Sequence, residues 1–332
     1  MRGETVDAAA GSRPVAGGEL LTSHGDVSPL TSPSHASHPL APHTVGAALA
    51  AARSILEHAG VAEAGREVQE LYGLIVRRPT SAAWLEREQP VSPSVAAALE
   101  AAATRRAANW PQAYAAGAVN FRGHWLAVDR RVLIPRAETE GLVDLVLEWA
   151  RTEDGGRPLV VADACTGSGA VAVALAREAP GSLRVIATDC SAEALAVARA
   201  NVEALGAADR VEARHGDLLE PLGGLRVDAV VSNPPYVAAA EWDALDASVR
   251  DFEPREALVS GADGLGAIRA LVGQARAALR PGGLLALEVD ARRADAAAAL
   301  AAAAGFVSCT VLRDLFGRPR YLRARRPADG SD

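Results

Sequence analysis

The spacing of hydrophobic positions changes along the chain and predicts three structured regions. Between residues 44 and 106 apolar side chains return every three or four positions, which is typical of amphipathic helices. Between residues 113 and 134 they fall into short β-like runs on either side of Arg122-Gly123, which predicts a β-hairpin. We therefore expect a helical domain, a hairpin linker and a larger third domain, with bounds at 44–110, 111–134 and 135–332.

Beyond Gly155 short apolar runs alternate with helical segments, and seven strands are predicted. They cover Leu159–Ala162, Val185–Thr188, Val211–Arg214, Val227–Ser232, Leu284–Val289, Phe306–Leu312 and Arg320–Arg325. Such alternation is typical of an α/β fold whose mostly parallel sheet is covered by helices on both faces. The link between the last two strands is too short for a crossover, so the last strand is expected to be antiparallel. Pro281-Gly282-Gly283 is expected to form a turn between a helix and the fifth strand.

Residues 1–43 show no periodicity and are rich in Gly, Ser, Pro, Ala and His, which predicts a disordered tail. The tail contains His24, His35, His38 and His43. A metal site on these histidines is the alternative to a solvated tail, but no cysteine or carboxylate cluster completes a ligand set. We expect no bound metal.

The 332-residue chain has a formal net charge of −7, and all 34 of its non-histidine basic residues are arginine. The absence of lysine excludes Schiff-base and side-chain amine chemistry. The acidic balance provides no global field for binding duplex nucleic acid. Three scattered cysteines, no bilayer-length apolar run and no secretory pattern predict a cytoplasmic protein, which we expect to be a monomer.

The first candidate site follows the strand Leu159–Ala162. Glycines within Asp163–Gly169 let a ligand approach the backbone closely, and the N–H groups that begin the next helix suit a carboxylate or phosphate. Asp189 ends the second strand, where a carboxylate can hold ribose hydroxyls. Beyond the third strand, Asp217 can accept a hydrogen bond from an adenine amino group while Leu218 packs on the ring. This pattern predicts an adenosine-type ligand.

The glycine turn by itself does not identify that ligand. Ala172 stands where the strict dinucleotide fingerprint has its third glycine, yet a relaxed form of the fingerprint allows alanine there. A nicotinamide dinucleotide and a purely structural turn therefore remain alternatives. Cys165 and Cys190 follow neighbouring predicted strands, and a redox switch is the alternative to two reduced thiols.

The second candidate site is Asn233-Pro234-Pro235-Tyr236, directly after the strand Val227–Ser232. Two prolines fix the backbone and remove two donors, which leaves the Asn233 side-chain oxygen and the Pro234 carbonyl as rigid acceptors. A planar NH2 group carries two donors that match them, and the Tyr236 ring can stack on that group. The tetrapeptide therefore predicts a site that holds an amide or amine in line with an electrophile.

These motifs resemble those of class I S-adenosylmethionine-dependent methyltransferases and, more narrowly, of the HemK/PrmC family of protein N5-glutamine methyltransferases. The resemblance covers nearly the whole chain after the tail and extends to Trp110–Tyr114, Val132–Glu140 and Phe252-Glu253-Pro254. It implies a Rossmann-like sheet, S-adenosylmethionine as methyl donor and S-adenosylhomocysteine as product. It also implies that the substrate is the GGQ glutamine of a bacterial peptide-chain release factor. The helical domain is expected to dock the macromolecular substrate, and a packing unit without such a role is the alternative.

The resemblance assigns roles to individual residues. The donor would be bound by Asp163, Cys165, Thr166, Gly167, Ser168, Gly169, Asp189, Asp217, Leu218 and Asn233. The glutamine amide would be held, and its methylation catalysed, by Asn233, Pro234, Pro235 and Tyr236. Cys165 departs from the family, which usually has glycine there, and Ala137 departs from its usual proline.

Three alternative functions remain at this point. The run Cys165-Thr166-Gly167-Ser168-Gly169 is similar to that of relatives that methylate large-subunit ribosomal protein three. The same tetrapeptide serves exocyclic amines of DNA or RNA bases, although the acidic charge and the short chain after Tyr236 argue against nucleic acid. A donor-binding scaffold without activity would have no need of an amide clamp.

Overall fold

The computed structural model describes residues 43–153, 157–179 and 182–328. The predicted disordered tail, apart from His43, lies outside the described residues. Five helices come first along the described chain, and they are α1 Val45–His58, α2 Ala64–Val76, α3 Ala82–Leu85, α4 Pro93–Ala107 and α5 Gln112–Ala116. The Thr44 hydroxyl accepts the Ala47 N–H at 3.2 Å, and Ser92 accepts the Val95 N–H at 3.3 Å, so side-chain caps fix the starts of α1 and α4.

The helical region has a small core of its own made mainly of alanine and leucine. Leu56, Leu71 and Leu99 are completely buried where α1, α2 and α4 meet. Small side chains let these helices approach closely, and few polar groups are buried with them. Glu86 is one, and it accepts the Tyr72 hydroxyl proton at 2.7 Å.

The predicted hairpin is present as β1 Ala118–Phe121 and β2 His124–Ala127. Its two turn residues, Arg122 and Gly123, have φ values of 52° and 79°, the left-handed conformation that a two-residue turn between twisted strands requires. The rest of the linker is not β structure. Ala116 ends α5, and Val132 and Ile134 lie in a loop, so their hydrophobic spacing reflects burial rather than strands.

The remaining chain forms a seven-stranded sheet with helices on both faces. The strands are β3 Leu159–Ala164, β4 Leu183–Asp189, β5 Val211–His215, β6 Val227–Ser232, β7 Leu279–Glu288, β8 Val307–Arg313 and β9 Pro319–Arg325. The helices are α6 Ala137–Thr152, α7 Ala170–Glu178, α8 Ala192–Ala204, α9 Ala247–Arg250, α10 Gly266–Ala278 and α11 Ala294–Ala303. The strand order is β5-β4-β3-β6-β7-β9-β8, and only β9 runs antiparallel to its neighbours. The predicted α/β class, mostly parallel sheet and antiparallel last strand are confirmed.

The start of the fifth large-sheet strand differs from the prediction, because β7 begins at Leu279 and not at Leu284. Pro281-Gly282-Gly283 lies inside the strand, where the register against β6 shifts between Val227 and Ala229. The Gly282 N–H donates to the Arg326 carbonyl at 3.0 Å, so the residue directly after β9 pairs with this irregular stretch. A side chain at Gly283 would lie 2.9 Å from the Asp228 carbonyl oxygen, which explains the glycine.

Two apolar layers cover the sheet. One is formed mainly with α6 and α7 and also receives Phe121 and Leu126 from the hairpin. The other is formed mainly with α10 and α11. No helix in the described ranges is long and apolar enough to cross a lipid bilayer.

Polar contacts attach the hairpin to the sheet domain. The Arg122 guanidinium contacts Glu178 at 2.6 Å and Asp144 at 2.9 Å, and its backbone N–H donates to Glu140 at 3.0 Å. At the other end of the hairpin, the Asn201 side chain accepts the Ala127 N–H at 2.7 Å and donates to the Ala127 carbonyl at 2.9 Å. The hairpin is therefore held at both its turn and its base.

Candidate functional site

A cavity of about 340 Å³ opens at the carboxyl ends of β3, β4, β5 and β6. Seven of the residues predicted for the two candidate sites line it, and they are Cys165, Gly167, Asp189, Asp217, Leu218, Asn233 and Pro235. The fold therefore brings the glycine turn and the tetrapeptide to one cavity. Asp163, Thr166, Ser168, Gly169, Pro234 and Tyr236 are not among its lining residues.

The glycine turn owes its shape to three left-handed residues. Cys165, Gly167 and Gly169 have φ values of 57°, 54° and 81°. A Cβ atom on Gly169 would lie 3.3 Å from Ala198, so this glycine also allows α8 to pack against the turn. A Cβ atom on Gly167 would meet nothing within 4 Å, because this glycine borders the open cavity. Cys165 adopts the left-handed conformation at a cost of about 1–2 kcal/mol relative to glycine.

Asp163 and Thr166 support the turn from behind. Asp163 is only 1% exposed and accepts the Thr166 hydroxyl proton at 2.6 Å. Burial raises the pKa of Asp163 to about 7, against the opposing effect of the Thr166 hydrogen bond. The Ser168 carbonyl accepts a proton from the Asn201 side chain at 2.9 Å, which ties the turn to α8. These side chains thus shape the ligand-facing backbone from the interior.

Asp189 closes the opposite side of the turn. Its two carboxylate oxygens accept the N–H groups of Gly167 and Ser191, both at 2.9 Å. Burial raises the pKa of Asp189, and these two N–H groups act against the rise. Each carboxylate oxygen has a second lone pair, so Asp189 can accept further protons from a ligand in the cavity.

Leu218 and Asp217 lie beyond the end of β5. The Thr188 hydroxyl donates to the Leu218 carbonyl at 2.5 Å, and Leu218 adopts a φ of 46°. This leaves the apolar Leu218 side chain buried against the cavity, while Asp217 is exposed at its edge. The pair combines an apolar side chain, on which a flat ring can pack, with a hydrogen-bond acceptor.

The tetrapeptide begins at a tightly fixed strand end. The Ser232 hydroxyl donates to the Ala164 carbonyl at 2.7 Å, which joins the ends of β6 and β3. Asn233 follows, and its side-chain NH2 group donates to the Thr139 hydroxyl oxygen at 3.2 Å. Pro234 is buried and Tyr236 is half-buried against the apolar layer of α10 and α11. Asn233 and Pro235 remain on the cavity wall.

Thr139 and Glu288 border the tetrapeptide and were not identified as site residues from the sequence. The Thr139 hydroxyl donates to a Glu288 carboxylate oxygen at 2.7 Å, and both side chains are at most 5% exposed. Burial raises the pKa of Glu288, while the Thr139 hydroxyl and the charge of Arg320 lower it. A sequence signal for Glu288 exists, because a carboxylate ending an otherwise apolar strand is the pattern that singled out Asp189. Thr139 gives no such signal.

Two segments distant in sequence form the outer wall of the cavity. Arg131, Val132 and Leu133 come from the loop after the hairpin, while Pro254, Glu256 and Ala257 come from the segment after α9. Buried Glu253 joins the two segments, since it contacts Arg136 at 2.5 Å and accepts the Ile134 N–H at 3.3 Å. Through Glu253, the Phe252-Glu253-Pro254 motif thus connects the end of the hairpin linker to the cavity wall.

Within residues 43–153, 157–179 and 182–328, no three His, Cys, Asp or Glu side chains are grouped closely enough to hold a metal ion. The arrangement that is present offers an apolar wall, carboxylates at strand ends and an oriented carboxamide. Such a cavity suits a nucleoside-type ligand next to a planar nitrogen group.

Comparison with known proteins identifies two family regions. Residues 47–117 match the PrmC N-terminal domain, and residues 145–251 match the methyltransferase small domain. Among solved structures, the catalytic domain of hMettl16 in complex with a MAT2A 3′UTR hairpin superposes with a TM-score of 0.51 at 16% identity. That match covers 69% of this chain and 82% of the other, and it supports the fold alone.

Similarity to curated proteins extends along most of the chain. The release factor glutamine methyltransferase of Cereibacter sphaeroides is 43% identical over 282 residues, which is 85% of this chain and 98% of that protein. The enzyme of the same name from Moorella thermoacetica is 43% identical over 286 residues, with 85% and 99% covered. Similarity at this level over 85% of the chain, with both family regions in order, shows that the chain belongs to the HemK/PrmC family of release factor glutamine methyltransferases.

Proposed function

We propose that the chain transfers a methyl group from S-adenosylmethionine to the side-chain amide nitrogen of a glutamine in a peptide-chain release factor. The observation that carries this proposal is the position of the Asn233 carboxamide on the wall of the same cavity that the glycine turn and Asp189 border. Residues suited to a nucleoside and residues suited to an amide thus line the same cavity. Family membership supports the reaction and the release factor as substrate.

The donor fits the residues of the cavity by their chemistry. Asp189 would accept the ribose hydroxyls, and Leu218 with Asp217 would contact the adenine ring and its amino group. Gly167 leaves open space beside the backbone, and the absence of its side chain allows close approach. When bound, S-adenosylmethionine supplies a methyl group on a positively charged sulfur and departs as S-adenosylhomocysteine.

The amide side of the site would orient the nucleophile. An amide nitrogen is weakly nucleophilic because its lone pair is delocalised over the carbonyl group. Hydrogen bonds from its two N–H groups to the Asn233 side-chain oxygen and the Pro234 carbonyl would raise the electron density on nitrogen. They would also fix the direction of the nitrogen lone pair. Tyr236 would pack beside the amide plane, and the proton released after transfer would pass to solvent.

The helical region 44–110 would dock the protein substrate. It has its own core, and Trp84 and Leu85 on α3 are 74% and 63% exposed. Trp84 and Leu85 are adjacent in sequence, and contiguous exposed apolar side chains are typical of interaction sites. We assign the linker 111–134 the role of holding this region at a fixed position beside the sheet domain 135–332.

A labelled-donor assay tests the proposed function. The purified chain is incubated with radiolabelled S-adenosylmethionine and either an unmethylated bacterial release factor or ribosomal protein three, and the modified residue is located by mass spectrometry. We expect label on the GGQ glutamine of the release factor and none on a release factor carrying Gln→Glu at that position. Labelling of the ribosomal protein alone would reassign the substrate, and donor binding without labelling of either would refute the proposal.

A further inference from the structure

Three segments far apart in sequence meet behind Asn233. Thr139 comes from the first turn of α6, Asn233 from the end of β6 and Glu288 from the end of β7. The Thr139 oxygen lies 3.2 Å from the Asn233 side-chain nitrogen and 2.7 Å from a Glu288 carboxylate oxygen. Thr139 and Glu288 are 5% and 1% exposed, so solvent does not compete for these contacts.

The hydrogen-bonding capacity of each group determines which atom donates and which accepts in these two hydrogen bonds. A threonine hydroxyl has one proton to donate, whereas an ionised carboxylate only accepts. Because the Thr139 proton is directed to Glu288, the lone pairs of the Thr139 oxygen require a donor from the other side. Only the NH2 end of the Asn233 carboxamide can provide it, so the carbonyl end of Asn233 points away from Thr139.

We propose that Thr139 and Glu288 are positioning residues that fix the Asn233 carboxamide with its oxygen toward the cavity and its NH2 group toward α6. The inference rests on the proposed function, since a substrate amide presents two N–H donors and requires acceptors. If the Asn233 carboxamide were rotated by half a turn, its NH2 group would face the NH2 group of the substrate amide and could not accept a hydrogen bond from it. The substrate nitrogen would then lose its alignment with the donor methyl group. Neither residue needs to touch the substrate.

Burial raises the pKa of Glu288, and several neighbouring groups act against this rise. Arg320 of β9 is 12% exposed at its side chain and its positive charge stabilises the carboxylate. The hydroxyl groups of Thr139 and Tyr236 also lower the pKa of Glu288, whereas burial, the largest effect, and the charge of Glu138 raise it. The backbone supports this placement, because Tyr321 pairs with Glu288 and the Val289 N–H donates to the Arg320 carbonyl at 2.8 Å.

The first test compares Thr139→Val, which keeps the shape of the side chain but removes the hydroxyl, with Thr139→Ser, which keeps the hydroxyl. We expect the valine variant to lower kcat on the release factor by about 10- to 100-fold, the range for misalignment of a reacting group. The KM for the release factor and the Kd for S-adenosylmethionine should stay within about threefold, as expected when only transition-state alignment is lost. The serine variant should recover most of the lost kcat.

The second test uses Glu288→Gln, whose NH2 group can donate to Thr139 and so reverse the chain of hydrogen bonds. We expect a similar loss of kcat, and we expect the double variant with Thr139→Val to be no slower than the slower single variant within about threefold, because both changes remove one shared function. The proposal would be overturned if the losses of kcat in the double variant were the product of those in the two single variants. It would also be overturned if Thr139→Val kept the full kcat, or if Thr139→Val and Thr139→Ser lost kcat equally. If the wild-type chain methylates no glutamine, the proposed function fails first, and the two failures are therefore distinguishable.

Discussion

The two halves of the cavity are built in different ways. On the donor side, one continuous run from Asp163 to Gly169 forms the turn, and its own residues Asp163 and Thr166 support it. On the amide side, the tetrapeptide supplies Asn233, but the groups that hold its side chain come from α6 and β7. The glycine turn is thus partly supported by its own residues, with Asp189 and Asn201 as further contacts, whereas the Asn233 side chain is held by groups from distant elements. Substitutions in the donor half should change donor binding, and those in the amide half should change turnover.

The largest expected effect comes from Asn233→Ala, which removes the carboxamide and leaves the glycine turn intact. We expect kcat on the release factor to fall by more than about 100-fold, because alignment of the nucleophile is lost. The Kd for S-adenosylmethionine, measured by calorimetry, should change little. A kcat within a few-fold of the wild type would contradict the assignment of turnover to the amide half.

Asp189→Ala addresses the donor half. The substitution removes the acceptor of the Gly167 and Ser191 N–H groups and the acceptor assigned to the ribose hydroxyls. We expect the Kd for S-adenosylmethionine to rise by about 10- to 100-fold, the effect of losing hydrogen bonds to a charged group. The exposed Asp217→Asn is the matched control and should weaken binding less. Unchanged affinity in calorimetry for Asp189→Ala would argue against its role.

A smaller effect is expected from a carboxylate that belongs to neither half. Asp228 is 4% exposed and holds Arg157 at 2.5 Å, Arg280 at 2.8 Å and the Val160 N–H at 2.8 Å. Asp228→Asn should lower the free energy of unfolding at pH 7 by about 1–3 kcal/mol, the contribution of hydrogen bonds to a charged group. The Kd for S-adenosylmethionine should not change. A large change in donor affinity would show that the site is not insulated from this end of the sheet.

The same carboxylate gives a pH dependence with a defined sign. Burial tends to raise the pKa of Asp228, but the two arginines and the Val160 N–H outweigh it, so the pKa is lowered from 3.8. A lowered pKa in the folded state means that the stabilisation is complete above pH 3.8 and is lost as the pH falls below it. The difference in urea unfolding between the wild type and Asp228→Asn should therefore be largest above pH 3.8 and decrease progressively as the pH falls below it. A difference that persists at lower pH would argue against a charge effect.

The sequence predicts local features well because their causes are local. The strand and helix alternation follows from hydrophobic spacing, and the glycine turn and the tetrapeptide are continuous motifs. Pro281-Gly282-Gly283 resembles a turn in isolation, but it lies within β7, where the Gly282 N–H donates to the Arg326 carbonyl. This partner lies 44 residues further along the chain, which no local rule reveals.

The amide half shows the same limit more sharply. Thr139 and Asn233 are 94 residues apart. Thr139 lies within the Val132–Glu140 run that carries the family resemblance, but nothing in that run marks its side chain as a contact of Asn233. In the donor half, the sequence groups Asp163 and Thr166 with the ligand contacts, whereas the structure directs both side chains behind the turn. Motifs thus identify which segments form a site, but the direction of each side chain depends on tertiary packing.

The attachment of the hairpin at both ends has a consequence for substrate choice. Arg122 contacts Glu178 and Asp144 at the turn, and Asn201 pairs with Ala127 at the base, so both ends of the hairpin are attached to the sheet domain. A protein that docks on the helices and places a side chain in the cavity must therefore span one set distance. Proteins whose exposed glutamine lies nearer to or farther from their docking surface would be rejected by geometry before any chemistry begins, and little ordering entropy would be lost when the correct one binds.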